Sequence, residues 1–279
     1  MTLLQIAILA LVQGLTELLP VSSSAHVILA EKWMGLDPTL PSMTLLLVML
    51  HTGTMLSVLV YFWEPWRKNY FDSAYRGWAF AKRVFLGTAA TLVLGIVFML
   101  FFKKILHIEV ESLFGNLTVI SIALACAGLL ILLASSREKS AADTENLGSR
   151  AALRIGIVQG LCLPFRGFSR SGATISMGLL LGIGREKAEE FSFALAVVLT
   201  PIILSLEIYR LWKTQAAPGA PAQDLLQAFT PGLLGMALSF IAGLLALRWL
   251  SSWLERGRWK LFGYYCVAVS VLIWIFRTS

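Results

Sequence analysis

Several side chains in this sequence sit where an apolar chain has least reason to hold them. Glu17 lies four residues after Gln13, so the two share a helical face, and Ser22-Ser23-Ser24 and His26 follow closely on Pro20. Far along the chain, Arg166 and Ser169-Arg170-Ser171 form a second polar turn after Pro164. Both sets are embedded in apolar sequence. An acidic residue at the centre of a membrane helix costs roughly 2.5–3.5 kcal/mol. Glu17, His26, Arg166 and Arg170 are therefore expected to face one another across a polar cavity, not lipid. A structural ion pair between Glu17 and Arg170 would satisfy two of them, but leaves three serines and a histidine unexplained.

The chemistry these residue types suggest is that of an anion. A serine cluster before an apolar run reads as a helix N-cap, at Ser22, Ser23 and Ser24 and again at Ser169 and Ser171. Helix N-termini present free backbone N–H groups and a positive dipole end, which suits phosphate. Arg170 adds a guanidinium fork, and Gly14, Gly160, Gly167 and Gly172 allow close backbone approach. The expectation is a cradle for an anionic phosphate group inside a bilayer. Breaking a phosphoanhydride there needs a nucleophile, a proton manager and charge neutralisation. Ser23 or His26 could attack, Glu17 could act as base or metal ligand, and Arg170 could steady the transferred group. Residue types alone do not choose among these roles. His51, followed by Thr52-Gly53-Thr54, is a weaker supporting candidate whose plainer reading is polar packing. His107, beside Lys104 and Glu109, reads as an interfacial surface residue.

Elements able to hold such groups away from water follow from composition. Hydrophobic residues make up 57% of the 279 positions and charged residues 14%, against roughly 25% charged in soluble domains. The net charge of +7 does not indicate nucleic acid, because no basic patch is interleaved with aromatics on a soluble fold. Basic loops of a membrane protein account for it. Cys126, Cys162 and Cys266 lie far apart without metal spacing, which argues against disulfides or a zinc site. The apolar amino terminus lacks a basic stretch, its first Lys or Arg being Lys32, and is expected to stay in the working protein.

A helix needs about 20 apolar residues to cross a bilayer, and six stretches qualify: Met43–Trp63, Val84–Phe102, Leu117–Ala134, Phe191–Trp212, Pro231–Leu250 and Leu261–Phe276. Trp63, Trp66, Trp212, Trp249 and Trp259 fall near their ends, where an aromatic belt is expected. Two regions are too short and interrupted to span. Leu3–Leu19 and Val27–Met34 flank Pro20 and the first serines; Arg150–Leu163 and Ile175–Ile183 flank Pro164 and the second polar turn. Each pair reads as a re-entrant hairpin. Val12-Gln13-Gly14-Leu15 recurs as Val158-Gln159-Gly160-Leu161.

The expected fold is therefore an all-α polytopic integral membrane protein with two inverted-topology repeats. Each repeat is a re-entrant helix hairpin plus three transmembrane helices, with the site near the midplane. The first repeat covers 1–135, a cytoplasmic linker 136–149, and the second, inverted repeat 150–279. With both hairpins returning, thirteen Lys and Arg fall on one side. Six (Lys32, Lys103, Lys104, Arg210, Lys213 and Arg277) fall on the other. The richer side is cytoplasmic, which places both termini on the outer face.

The segment from Gln13 through Gly14-Leu15-Thr16-Glu17-Leu18-Leu19-Pro20-Val21-Ser22-Ser23-Ser24-Ala25 to His26 resembles the undecaprenyl-diphosphate phosphatase, or bacitracin-resistance, family. So does Gly167-Phe168-Ser169-Arg170-Ser171-Gly172-Ala173-Thr174, with support from His51-Thr52-Gly53-Thr54 and Phe191-Ser192-Phe193. The resemblance covers essentially the whole chain. It implies hydrolysis of undecaprenyl diphosphate to undecaprenyl phosphate and phosphate in the bacterial cytoplasmic (inner) membrane, recycling the lipid carrier for cell-wall synthesis. It also implies a divalent cation such as Mg²⁺, with Glu17 its metal ligand, and leaves a homodimer open. Glu17, Ser23, His26 and Arg170 carry over as catalytic positions. Gln13, Ser22, Ser24, Ser169, Ser171, Thr174 and Arg166 are expected to bind the polyprenyl diphosphate. Arg166 stands where the family has Pro, and Ala25 where it has Gly. The rival expectation is a transporter or flippase of a polyprenyl phosphate using the same anion site.

Overall fold

Runs of Leu, Ile, Val and Ala far longer than a soluble core tolerates leave the chain one way to satisfy its backbone in lipid, namely to coil on itself. The computed structural model describes residues 1–38, 40–137, 147–215, 225–254 and 259–277. Among these are ten α-helices: α1 (Leu3–Thr16), α2 (Ser23–Trp33), α3 (Pro41–Tyr70), α4 (Ala74–Lys104), α5 (Leu117–Ser135), α6 (Ser149–Cys162), α7 (Arg170–Leu180), α8 (Arg185–Gln215), α9 (Leu225–Leu254) and α10 (Trp259–Phe276). Local chemistry sets many of their starts. Thr2 and Gln5 form a capping box at α1, and Asn116 accepts from the Thr118 and Val119 amides at α5. Pro41 opens α3, where its missing N–H costs nothing.

Six helices are long and apolar enough to cross a membrane: α3, α4, α5, α8, α9 and α10. They coincide with the six stretches expected from the sequence. Their outer faces are apolar as well; on α4, Phe85, Val93, Ile96 and Val97 are each more than half exposed. Such a surface belongs against lipid. The chain is a multi-pass helical membrane protein.

The four short helices α1, α2, α6 and α7 fall on the interrupted regions. α1 lies on α9 and α6 on α4, while α3 packs between α8 and α9, and α5 packs on α10. α1, α6 and α7 are thus each held by a helix from the other part of the chain as well as by a neighbour. The α1–α9 contact needs Gly14, because a Cβ there would stand 2.4 Å from Ala242 Cβ. At the α4–α6 contact, Thr91 Oγ1 donates to Gly87 O and Gly156 O, both at 2.9 Å. Apolar packing around Ile28, Ile120, Leu124, Ile155, Phe191 and Leu195 joins the two sets.

Two tryptophans depart from the expected belt. Trp66 and Trp259 are 4% and 1% exposed, and are core side chains; Trp63 and Trp212 are exposed and placed to meet an interface. The Trp249 side chain, most of the 136–149 linker with Lys139, and Arg256 and Arg258 lie outside the described residues. His107 is exposed, as expected, beside a Lys103–Glu109 ion pair of 3.3 Å.

Candidate active site

Where α1 stops, Glu17 occupies its C-cap position. The chain then turns through Pro20, and Ser22 adopts a left-handed conformation, φ 66° and ψ 85°, before α2 begins at Ser23. For a residue with a Cβ this conformation costs roughly 1–2 kcal/mol. The Ser22 side chain makes no cap bond, so the expected serine cap of α2 is a cap by position only. The second break does what its sequence announces: Ser169 Oγ accepts from the Gly172 amide at 3.2 Å and caps α7, whose first residue is Arg170. Gly167, at φ 104°, makes the preceding turn close against Ile120, where any side chain would collide with the Ile120 carbonyl. The two breaks meet. Ser171 Oγ donates to Leu19 O at 3.4 Å, and Arg170 reaches Glu17.

Glu17 is the hub. It is 5% exposed, and a carboxylate so buried must be compensated on every side. Arg170 Nη2 donates to Oε1. Oε2 accepts from Ser23 Oγ and, at 2.9 Å, from Gln13 Nε2. His51 Nε2 stands 3.1 Å from the same oxygen, while its Nδ1 donates to Leu47 O at 2.8 Å. With Nδ1–H committed to a carbonyl, the His51–Glu17 contact needs a proton between Nε2 and Oε2, because two lone pairs would repel. His51 is thus a direct partner of Glu17, where the sequence offered polar packing as the plainer reading. The signal was present as a histidine in an apolar span, but nothing local pairs α3 with the end of α1.

A cavity of about 180 Å³ opens beside this cluster. Its size suits a headgroup, since pockets for whole drug-sized ligands start near 300 Å³. Glu17, Ser22, Ser23, Ser24, Ser169, Ser171, Arg166 and Arg170 all line it, with His51; Leu47, Val48, Leu199 and Ile203 from α3 and α8 form its apolar side. The α2 and α7 N-termini both contribute their first serines to the wall. Arg166 stacks its guanidinium 4.0 Å above the Phe114 ring, a cation–π contact that holds the charge at the rim.

Three of the expected site residues stand off the wall. Gln13 is fully buried behind Glu17. Thr174 is also buried and bonds Arg170 O at 2.8 Å and Ser192 Oγ at 2.6 Å, so it holds α7 and does not face the cavity. His26 turns toward α10: its Nδ1 donates to Ser22 O at 2.8 Å and its Nε2 lies 2.7 Å from the Tyr265 hydroxyl.

The Mg²⁺ expectation rests on a single carboxylate. Among the described residues no three His, Cys, Asp or Glu side chains cluster, and Glu17 is the only carboxylate on the cavity, with both oxygens already engaged by donors. Mg²⁺ commonly keeps several waters and takes one or two carboxylates together with substrate phosphates. Glu17 is the side chain here that would hold it, in exchange for one of the donors now on its oxygens.

Comparison with known proteins gives the family. The chain is 55% identical to undecaprenyl-diphosphatase 2 of Acinetobacter baylyi, over 98% of this chain and 97% of that protein. It is 37% identical to an undecaprenyl-diphosphatase of an Anaeromyxobacter species, over 98% and 89% of the two chains. A third relative, the undecaprenyl-diphosphatase of Korarchaeum cryptofilum, is 33% identical over 98% of each. A family model described as bacitracin resistance protein BacA matches residues 6–272. With its broken helices, its buried Glu17 hub and near full-length similarity to these proteins, the chain belongs to the bacitracin resistance protein BacA family.

Proposed function

We propose that the protein hydrolyses undecaprenyl diphosphate to undecaprenyl phosphate and inorganic phosphate. The observation that carries the chemistry is the Ser23 hydroxyl, held on the Glu17 carboxylate at the mouth of α2. In the reading this supports, the terminal phosphate lies among the Ser22–Ser24 and Ser169–Ser171 turns, and Arg166 and Arg170 neutralise its oxygens. Ser23 Oγ attacks the terminal phosphorus as Glu17 takes its proton. The bond from that phosphorus to the bridging oxygen breaks, and undecaprenyl phosphate leaves. Glu17 passes that proton to the departing phosphate; water then hydrolyses the phosphoserine, Glu17 taking the water's proton and returning it to Ser23 Oγ as inorganic phosphate leaves. His51 and Gln13 hold the carboxylate throughout.

The same reading takes α1–α2 and α6–α7 as re-entrant hairpins of two inverted repeats. Support comes from the recurrence of Val-Gln-Gly-Leu and from the matched packing of α1 on α9 and α6 on α4. Both termini then lie outside the cytoplasmic membrane. A cysteine-free variant carrying Thr2→Cys should react with an impermeant maleimide in intact cells, and one carrying Asp72→Cys should not; the reverse pattern inverts the orientation.

The paired broken helices also favour a second reading, transport of a polyprenyl phosphate without hydrolysis. An acid beside an anionic ligand serves proton transfer better than holding, so phosphate release is the expected activity. Purified protein in vesicles, assayed for both phosphate release and lipid movement, separates the two. Movement without any release overturns the phosphatase reading.

A further inference from the structure

The histidine of the first motif is the residue whose position departs most from what its sequence context suggests. Ser22 and Ser23 line the cavity, but His26 does not. Instead, the His26 amide and Nδ1 both converge on one acceptor, the Ser22 carbonyl, at 3.3 and 2.8 Å. Ser22 is the left-handed residue from which α2 starts, and a strained conformation persists only where its surroundings hold it. A carbonyl can only accept, so Nδ1 carries the proton. In the neutral ring Nε2 is then the lone-pair nitrogen, and the Tyr265 hydroxyl at 2.7 Å donates to it. The two rings also stack, with centroids 5.7 Å apart and planes 11° from parallel. The next residue of α10, Cys266, donates its thiol to Pro20 O at 3.4 Å. One turn of α10 therefore holds the 17–22 turn directly, at Pro20 O, and the start of α2 through His26.

We infer that His26 and Tyr265 are positioning residues: they fix the Ser22 turn that aims Ser23 at Glu17 and the cavity, the Ser22 carbonyl setting the tautomer of His26 and Tyr265 occupying its Nε2. This rests on the phosphatase reading for its kinetic consequence, but not for its geometry. His26 Nδ1 locks the turn from below and Tyr265 leaves Nε2 no lone pair to offer a phosphate. Tyr265 brings to His26 a contact from a residue 239 positions away in sequence.

Two measurements test it. The first is independent of activity: ¹⁵N NMR of the protein in micelles, labelled at histidine and assigned with His26→Asn. The expected His26 signature is an Nδ1–H tautomer with Nε2 accepting, and Tyr265→Phe should shift the Nε2 resonance. A wild-type ring protonated at Nε2 alone, or one indifferent to Tyr265→Phe, overturns the inference. The second is steady-state phosphate release from undecaprenyl diphosphate. His26→Ala should lower kcat about 10²-fold, the scale of a misplaced reacting group, with little change in KM. Asn places an amide donor where Nδ1 stood and can bond the i−4 carbonyl, so His26→Asn should return kcat to within about tenfold of wild type. Gln offers its amide at the Nε2 position and should not. Tyr265→Phe should cost about two- to tenfold, the worth of one neutral hydrogen bond. If Asn is as inactive as Ala, the ring itself does chemistry and the inference fails. If wild-type protein releases no phosphate, the phosphatase reading fails and the tautomer measurement still decides the geometry.

Discussion

Replacing His51 tests whether Glu17 is held as a base by its partners or is merely buried among them. His51 Nε2 lies 3.1 Å from Glu17 Oε2. A full charge pair at that distance and an effective dielectric of about 20 is worth about 5 kcal/mol before desolvation. Net values for hydrogen bonds to charged groups are smaller, about 1.5–3 kcal/mol, which is about 10- to 150-fold in rate. The His51 side chain is 25% exposed, which weakens the pair, so the expectation for His51→Ala is a loss of about 10- to 50-fold in kcat. His51→Gln keeps an amide donor near the Nε2 position and should recover most of that loss. The assay is phosphate release from undecaprenyl diphosphate, with the thermal midpoint in detergent measured on each variant to exclude unfolding. A wild-type rate in His51→Ala would refute the reasoning and return His51 to polar packing. Equal losses in Ala and Gln would mean that the imidazole moves a proton.

Glu17→Gln keeps volume and removes the base; kcat should fall by about 10²–10⁴-fold, while KM stays level or drops because Arg170 is freed for phosphate. A rise in KM alone would place Glu17 in binding, not chemistry. Arg170→Met strands a buried carboxylate and should cost about 3 kcal/mol, the low end of the range for broken buried pairs, because Gln13, Ser23 and His51 still hold Glu17. Adding Glu17→Gln to it should restore part of the thermal midpoint and none of the activity, and a further drop would contradict the pairing. Gly14→Leu drives a side chain into Ala242 and should lower the thermal midpoint more than Leu15→Ala, since Leu15 is exposed; comparable midpoints would mean that α1 does not depend on close contact with α9.

The sequence by itself determined the membrane class, the six spanning helices and the two interrupted regions, because these depend on apolar run length and on proline and serine punctuation, which are local properties. It also singled out Glu17, Ser23 and Arg170, since a charge or a serine cluster inside an apolar run is costly wherever it ends up. Direction is another matter. Trp66 and Trp259 sit at helix ends in the sequence, yet each faces the protein core, because hydropathy gives depth but not the face of a helix. His26 lies three residues from Ser23 and was expected beside it. Ser23 instead meets Glu17 while His26 meets Ser22 O and Tyr265, a choice made by the partners that α1 and α10 bring to α2, which residue type does not record. His51 and Tyr265 reach the site from α3 and α10 only because those helices pack where they do. That placement is decided by glycine contacts and side-chain fit summed over many residues, and it exists only once the whole bundle has assembled.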